Sequence, residues 1–308
     1  MRSENFNSFR LVIVAIVCAG AMSILSCGQS GNSQNPKEDN LVLVCGDTQV
    51  LLVDFSDQGD TIPSVVWSWD AHEAGDLPTD YRMKRFNSID DCKAVRDGKE
   101  ILISSSSGAI VLVNREDKKV LFYAQVPNAH SIELLPGDVI VAAASTAPQG
   151  NRIMVFDQHR PEEVLFSDSL YSAHGVVWDG ERQLLYALGY DVLREYKIID
   201  KSQLELLREW KIPGVSGHDL QMAPDGDHLF LTEHTGAWVF DMISGTFGKI
   251  EGFPDAKNIK SIHQNKEGQF VYTVPEESWW TYHVSFHNPR ASLAFPDIHV
   301  YKARWYKP

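Results

Sequence analysis

Three histidines recur 44 residues apart, His130, His174 and His218, and each opens a short apolar stretch that ends in a Pro-Gly or Asp-Gly turn. In two further copies of the stretch the same position is Asp90, 40 residues before His130, and Lys260, 42 residues after His218. His299, near the C-terminus, is the sixth member of the series. Three residues further along each copy the residues are Lys93, Glu133, Val177, Gln221, His263 and Lys302. Four of the eleven histidines thus fall on one position of a repeat. Neutral imidazoles bind metal ions or accept protons, and they act as nucleophiles when a cation beside them stabilises developing negative charge.

Three uses of such a ring stay open from the residues alone. His130, His174 and His218 could converge with Glu133 or Gln221 on a divalent metal, although no tight His-x-His or His-x-x-x-His spacing marks a dedicated site and nothing in the sequence requires a cofactor. A histidine could act as base or nucleophile, which would make the protein a lyase, hydrolase or transferase. Binding alone is the third use. A solvated channel lining inherited by duplication would also be polar. The replacement of repeat equivalents by Asp90, Lys260 and Lys93, charged groups of both signs, favours a site.

Neighbouring loops add Glu233 and His234, Gly189-Tyr190-Asp191, Ser104–Gly108, and Glu276–Trp280 with its paired tryptophans. The stretch Asp70–Ile89 adds Tyr81, Arg82 and Lys84, and Arg304 follows Lys302 at the C-terminus. Aromatic faces beside Arg, His and carboxylates suit a polar ring such as a sugar. Trp67, Trp69, Trp178, Trp210 and Trp238 fall in strand-like runs and are expected to pack.

The elements that must position these residues are strands. After Asn40 there is no long helical period, only short β-branched and aromatic runs separated by Asp-Gly, Pro-Gly and Asn turns. The copies begin at 90, 130, 174, 218 and 260, and each holds four strand-like runs, the size of a propeller blade. Asn40–Asp54 reads as second and third strands without a first, and His299–Trp305 as a first strand without a blade. Joined, they make a sixth blade and remove the exposed edges of an open array. The expected fold is all-β: a six-bladed β-propeller of four-stranded blades over residues 41–308, closed by strands from both termini. First strands line the channel, so the ring above would mark one mouth.

Ahead of the propeller, Arg2 and Arg10 bracket a polar start, and Leu11–Leu25 is an apolar run too short to span a bilayer. It ends in Ile24-Leu25-Ser26-Cys27-Gly28, which resembles the lipobox of bacterial lipoproteins. That resemblance implies a signal peptide over residues 1–26, lipidation of Cys27 and a flexible tether over 27–40. The expected location is the envelope of a Gram-negative bacterium, at the outer membrane because no Asp follows Cys27, with the periplasmic or surface side of that membrane left open. Of the other cysteines, Cys18 leaves with the signal, while Cys45 and Cys92 read as buried thiols. A formal charge of −13 argues against a nucleic-acid partner.

The phrases His130-Ser-Ile-Glu-Leu-Leu-Pro-Gly and His218-Asp-Leu-Gln-Met-Ala-Pro-Asp-Gly, with the closing Val-Tyr-Lys-Ala-Arg-Trp, resemble an uncharacterised family of lipoprotein propellers, a domain of unknown function. The His-Asp-apolar-x-x-x-Pro-x-Gly pattern is more distantly similar to bacterial arylsulfotransferases, six-bladed propellers with a histidine sulfate carrier. That resemblance implies a sulfate-contacting role for His218, with His130 and His174 as helpers. By fold and residue type the chain is also similar to propeller lyases that hold manganese between His and Gln and act on uronic acids. The expected function is binding of a carbohydrate-like or anionic small ligand, with or without chemistry on it. The alternative is a non-catalytic scaffold for a partner protein of the envelope.

Overall fold

The computed structural model describes residues 38–56 and 62–307. The segments expected as signal peptide and tether, with Cys27 as the expected lipid acceptor, lie outside those residues as far as Lys37. Among the described residues, twenty-four strands form six four-stranded antiparallel sheets. Blade one covers residues 89–125, blade two 129–169, blade three 175–211, blade four 219–249 and blade five 261–294. Blade six joins 300–305 to 41–70, so both ends of the chain close the ring, as the sequence pattern predicts.

The inner strand of blade six runs antiparallel to Leu41–Gly46, with Val42 opposite Trp305 and Cys45 opposite Lys302. Gly46 is required at this seam: a Cβ there would lie 2.0 Å from the His299 carbonyl oxygen. Many strands end in an Asp or Asn whose side chain accepts the amide two or three residues on. Asp179 takes Glu181 and Arg182, Asp241 takes Ile243 and Ser244, and Asn114 takes Glu116 and Asp117. This is the turn chemistry that punctuates the repeat.

Burial grades outward. Second strands such as Val139–Ala144 are buried throughout, whereas the outer strand Val164–Ser169 is largely open. Blades pack through the side chains two residues past each ring position, Cys92, Ile132, Val176, Leu220, Ile262 and Ala303, all buried. Cys45 and Cys92 are free thiols in the core shared by blades six and one. Leu220 meets Val177, Leu188, Leu231 and Phe240 between blades three and four. Burying one such side chain is worth about 1.5–3 kcal/mol.

One backbone device decides what faces the channel. In blades one, two and six the inner strand carries a β-bulge, at Asp90, His130 and Tyr301. In blades three, four and five His174, His218 and Lys260 do the same from just ahead of the strand. Their amides donate to the carbonyls of Leu188, Thr232 and Thr273, which also stand opposite the next residue. A bulge sets two residues against one and breaks strict alternation. Both the bulged residue and its successor therefore reach the axis.

The blade-six bulge corrects the sequence alignment by two residues. The member of the first ring is Tyr301, not His299, and the residue three further along is Arg304, not Lys302. His299 instead belongs with Ser88, Asn128, Ser172, Ser216 and Asn258, the residues two before each ring position.

Candidate functional site

Six side chains at the bulges, Asp90, His130, His174, His218, Lys260 and Tyr301, line one cavity of 420 Å³, with Ser88, Ser106, Ser107, Asn128 and Trp279. The imidazoles pack edge to face around the axis. Ring centroids are 4.3 Å apart for His130 and His174, 5.9 Å for His174 and His218, and 5.9 Å for His130 and Tyr301. Trp279, 57 % exposed, stands at the lip and lines an adjoining cavity of 270 Å³ with Trp280, His299, Asn87 and Asp47.

Hydrogen bonds fix two of the imidazoles. His174 Nδ1 donates to the Ser172 carbonyl at 2.8 Å, with the Ser145 and Ser172 hydroxyls at 3.3 and 3.2 Å. Its Nε2 then keeps a lone pair. Lys260 Nζ lies 3.0 Å from His218 Nε2 and 2.8 Å from Asn258 Oδ1. His218 Nε2 also lies 3.0 Å from Asn258 Oδ1, so it either accepts from the ammonium or donates to that oxygen, and this choice sets whether Nδ1 carries the proton. That Nδ1, like His130 Nδ1, is buried and has no partner among the described residues.

The electrostatics are those of a dry, lightly charged pocket. Burial pulls His174 down to about 4 and, with Lys260 beside it, His218 down to about 2. Burial and the neighbouring His174 hold His130 well below the ordinary range. All three are neutral at pH 7. Burial and the Lys302 charge lower Lys260 to about 8. Burial pushes the Asp90 carboxyl up to about 7, although the Ser106 amide donates to it. The cavity thus combines a half-titrated acid, three neutral bases and an ammonium, the kind of perturbed set that marks functional sites.

The floor of this cavity is a buried ionic layer formed by successors of the ring residues together with Arg304. Arg304 donates to Asp91 of blade one at 2.9 Å and to Asp219 of blade four, the opposite blade, at 2.6 Å. Lys302 donates to Asp219 and to the His130 carbonyl, both at 3.1 Å. The Ser131 hydroxyl donates to Asp91, and the amides of Val176, Ile262 and Ala303 donate back to Ser131, Asp219 and Ser261. Two acids and two bases balance, and all four are buried.

This layer divides the residues that the sequence groups into one site. Lys302 and Arg304 are held in ion pairs on the axis. Lys93, Glu133, Gln221 and His263, with the inner side of Arg304, line a separate cavity at the other mouth. Glu133 and Gln221 therefore do not converge with the three histidines. Among the described residues no group of three or more His, Cys, Asp or Glu side chains is arranged to hold a metal ion.

The loop residues divide as well. Glu233 is buried and accepts from Thr235 and the Trp238 indole. Tyr81 is buried against Tyr123 and bonds to Glu162. His234, Tyr190 and Arg82 do not line the His cavity, and the Tyr190 ring instead lies tilted against Tyr171. Asn128, Asn258 and Tyr301 were not among the candidates. A signal existed for the first two, because the residue two before every ring position is polar, and Asn128, Ser172, Ser216 and Asn258 take positive φ there.

No curated protein matches the chain. A family model does, over residues 5–307, and with that extent the chain belongs to the Family of unknown function (DUF6528).

Proposed function

We propose that the protein is a lipid-anchored envelope propeller that binds an anionic, carbohydrate-like small molecule in the cavity of His130, His174, His218 and Lys260. The observation that carries this reading is the charge state of the cavity. It holds one ammonium, three imidazoles kept neutral by burial, and a single carboxyl, Asp90, raised to about 7. An incoming anion meets Lys260 directly and raises the imidazole pKa values, so protons enter with it. Trp279 at the lip offers an exposed ring for a sugar face, and the serines and Asn128 offer hydroxyl partners. The same groups are equipped for proton transfer, with Asp90 as acid and the His174 Nε2 lone pair as base.

Titration calorimetry and thermal shift with glucuronate, galacturonate oligomers and an aryl sulfate, against neutral glucose, test the reading. The anionic sugars should bind and glucose should not, and His218→Ala or Lys260→Met should weaken binding at least tenfold, about 1.4 kcal/mol. Equal binding by parent and variants would show that the ring is not the site, and a response to the aryl sulfate alone would replace the sugar by a sulfate ester. For the anchor, radiolabelled palmitate should enter the parent and not Cys27→Ser.

A further inference from the structure

We infer that the opposite mouth of the channel is a second binding site, for a small carboxylate with a short apolar body. It goes beyond the His-ring reading and does not depend on it. The residues three past each bulge line a cavity of 230 Å³, with Met222, Ala223, Pro224, Lys266, Trp305 and Tyr306 completing the wall.

Most polar groups there already have partners. Lys93 donates to Glu133 at 3.0 Å and to the Val176 carbonyl at 2.7 Å, and Arg304 is held by Asp91 and Asp219. Two do not. Gln221 Nε2 and His263 Nδ1 have no partner among the described residues, and the two residues are 5 % and 7 % exposed. A buried polar atom left unmatched costs about 1–3 kcal/mol; the Gln221 amide is a donor and the neutral His263 ring presents Nδ1 as a donor in one of its two tautomers, so the pair points to an acceptor that the protein itself does not supply. They stand on adjacent blades, four and five, beside Arg304 of blade six.

The cavity's chemistry names the ligand class. Lys93 is matched by Glu133 and Arg304 by Asp91 and Asp219, which leaves Lys266 as the uncompensated charge at this mouth, and together with the Gln221 amide donor it favours a carboxylate. Burial, with the Arg304 charge, lowers His263 to about 3, so it meets the ligand neutral. Trp305, Met222, Ala223 and Pro224 offer the other end of the ligand no strong hydrogen-bonding side chain. The volume equals that of roughly eight waters at ~30 Å³ each, and polar groups along only one side would satisfy few of them.

The test uses the mature chain and two probes, 3-hydroxybutyrate for this mouth and glucuronate for the other. Imidazole nitrogen NMR of the parent should show the His263 resonance shifting saturably with 3-hydroxybutyrate. Gln221→Met should weaken that binding at least tenfold and leave glucuronate binding unchanged. Crystals of the parent soaked in 3-hydroxybutyrate give a reading that needs no variant, with the carboxylate against Gln221 and His263. Ordered water alone in that cavity, or equal affinity in Gln221→Met, would overturn the inference. Failure of glucuronate to bind would instead bear on the His ring and leave this result standing.

Discussion

Asp90 and Asp91 are chain neighbours, both buried, and their carboxyls are driven in opposite directions. Asp90 faces a cavity, loses solvent and gains little charge in return, so its pKa rises to about 7. Asp91 loses as much solvent but faces Arg304, Lys302 and Lys93, which hold it below its ordinary value. His218 and Asp219 repeat the contrast in blade four, with His218 at about 2 and Asp219 pulled down by Arg304 and Lys302. A β-bulge is what puts both members of each pair on the axis. One ring is matched within itself and holds opposite blades together, while the other is left short of partners beside open space. Perturbed groups in a cavity suggest a site, and perturbed groups locked into mutual pairs suggest closure.

The largest effect should come from breaking the matched ring. Arg304→Met leaves Asp91 and Asp219 buried without their main counter-charge, and removal of one partner from a buried pair costs about 3–5 kcal/mol. Urea denaturation should show a loss of that size. A loss under ~1 kcal/mol would mean that the ionic layer is not what holds the ring.

Acid should reveal the unmatched ring. A histidine whose folded pKa is depressed binds protons more readily when unfolded, so its contribution is intact above 6.5 and is lost as pH falls. For His174 the loss runs from 6.5 to about 4, and for His130, His218 and His263 it continues lower. Asp90 has the opposite sign: its folded pKa is raised, so it stabilises at low pH and the benefit is lost as pH rises through about 7. Four histidines outweigh one carboxyl. Stability should therefore fall between pH 6.5 and 4.5, by about 1.4 kcal/mol per pH unit for each net group. His174→Phe should flatten the slope, and an unchanged slope would detach it from these residues.

The smallest effect is the most discriminating. Lys260 is desolvated beside a neutral imidazole and has no carboxylate partner among the described residues, so Lys260→Met should leave stability within ~1 kcal/mol of the parent or raise it. A loss like that of Arg304→Met would merge the two rings into one structural device.

The architecture was legible because five blades repeat a glycine-bearing turn six to eight residues past the ring position. Blade six is where that reading slipped. Its first and second strands come from opposite ends of the chain, so no turn joins them, and Val300-Tyr-Lys-Ala-Arg-Trp could be placed two residues off without changing which side chains share a face. The ring of candidates was legible too, apart from Tyr301. What the sequence concealed was depth. Period-two reasoning puts His218 and Gln221 on opposite faces and cannot show that bulges bring His218, Asp219 and Gln221 all to the axis, with a buried layer between two mouths. Charged pairs in succession, Asp90-Asp91 and His218-Asp219, were the available hint. Glu233 and Tyr81 show the converse: a polar residue in a loop is often engaged by its own neighbours.

The central claim is that the three neutral imidazoles and Asp90 take up protons as an anion enters. Calorimetry of glucuronate binding in two buffers of different ionisation enthalpy, from pH 7.5 to 5.5, measures this directly. Net proton uptake, with affinity rising as pH falls, is the predicted result. Binding without proton exchange, at an affinity that does not change over that range, would contradict it.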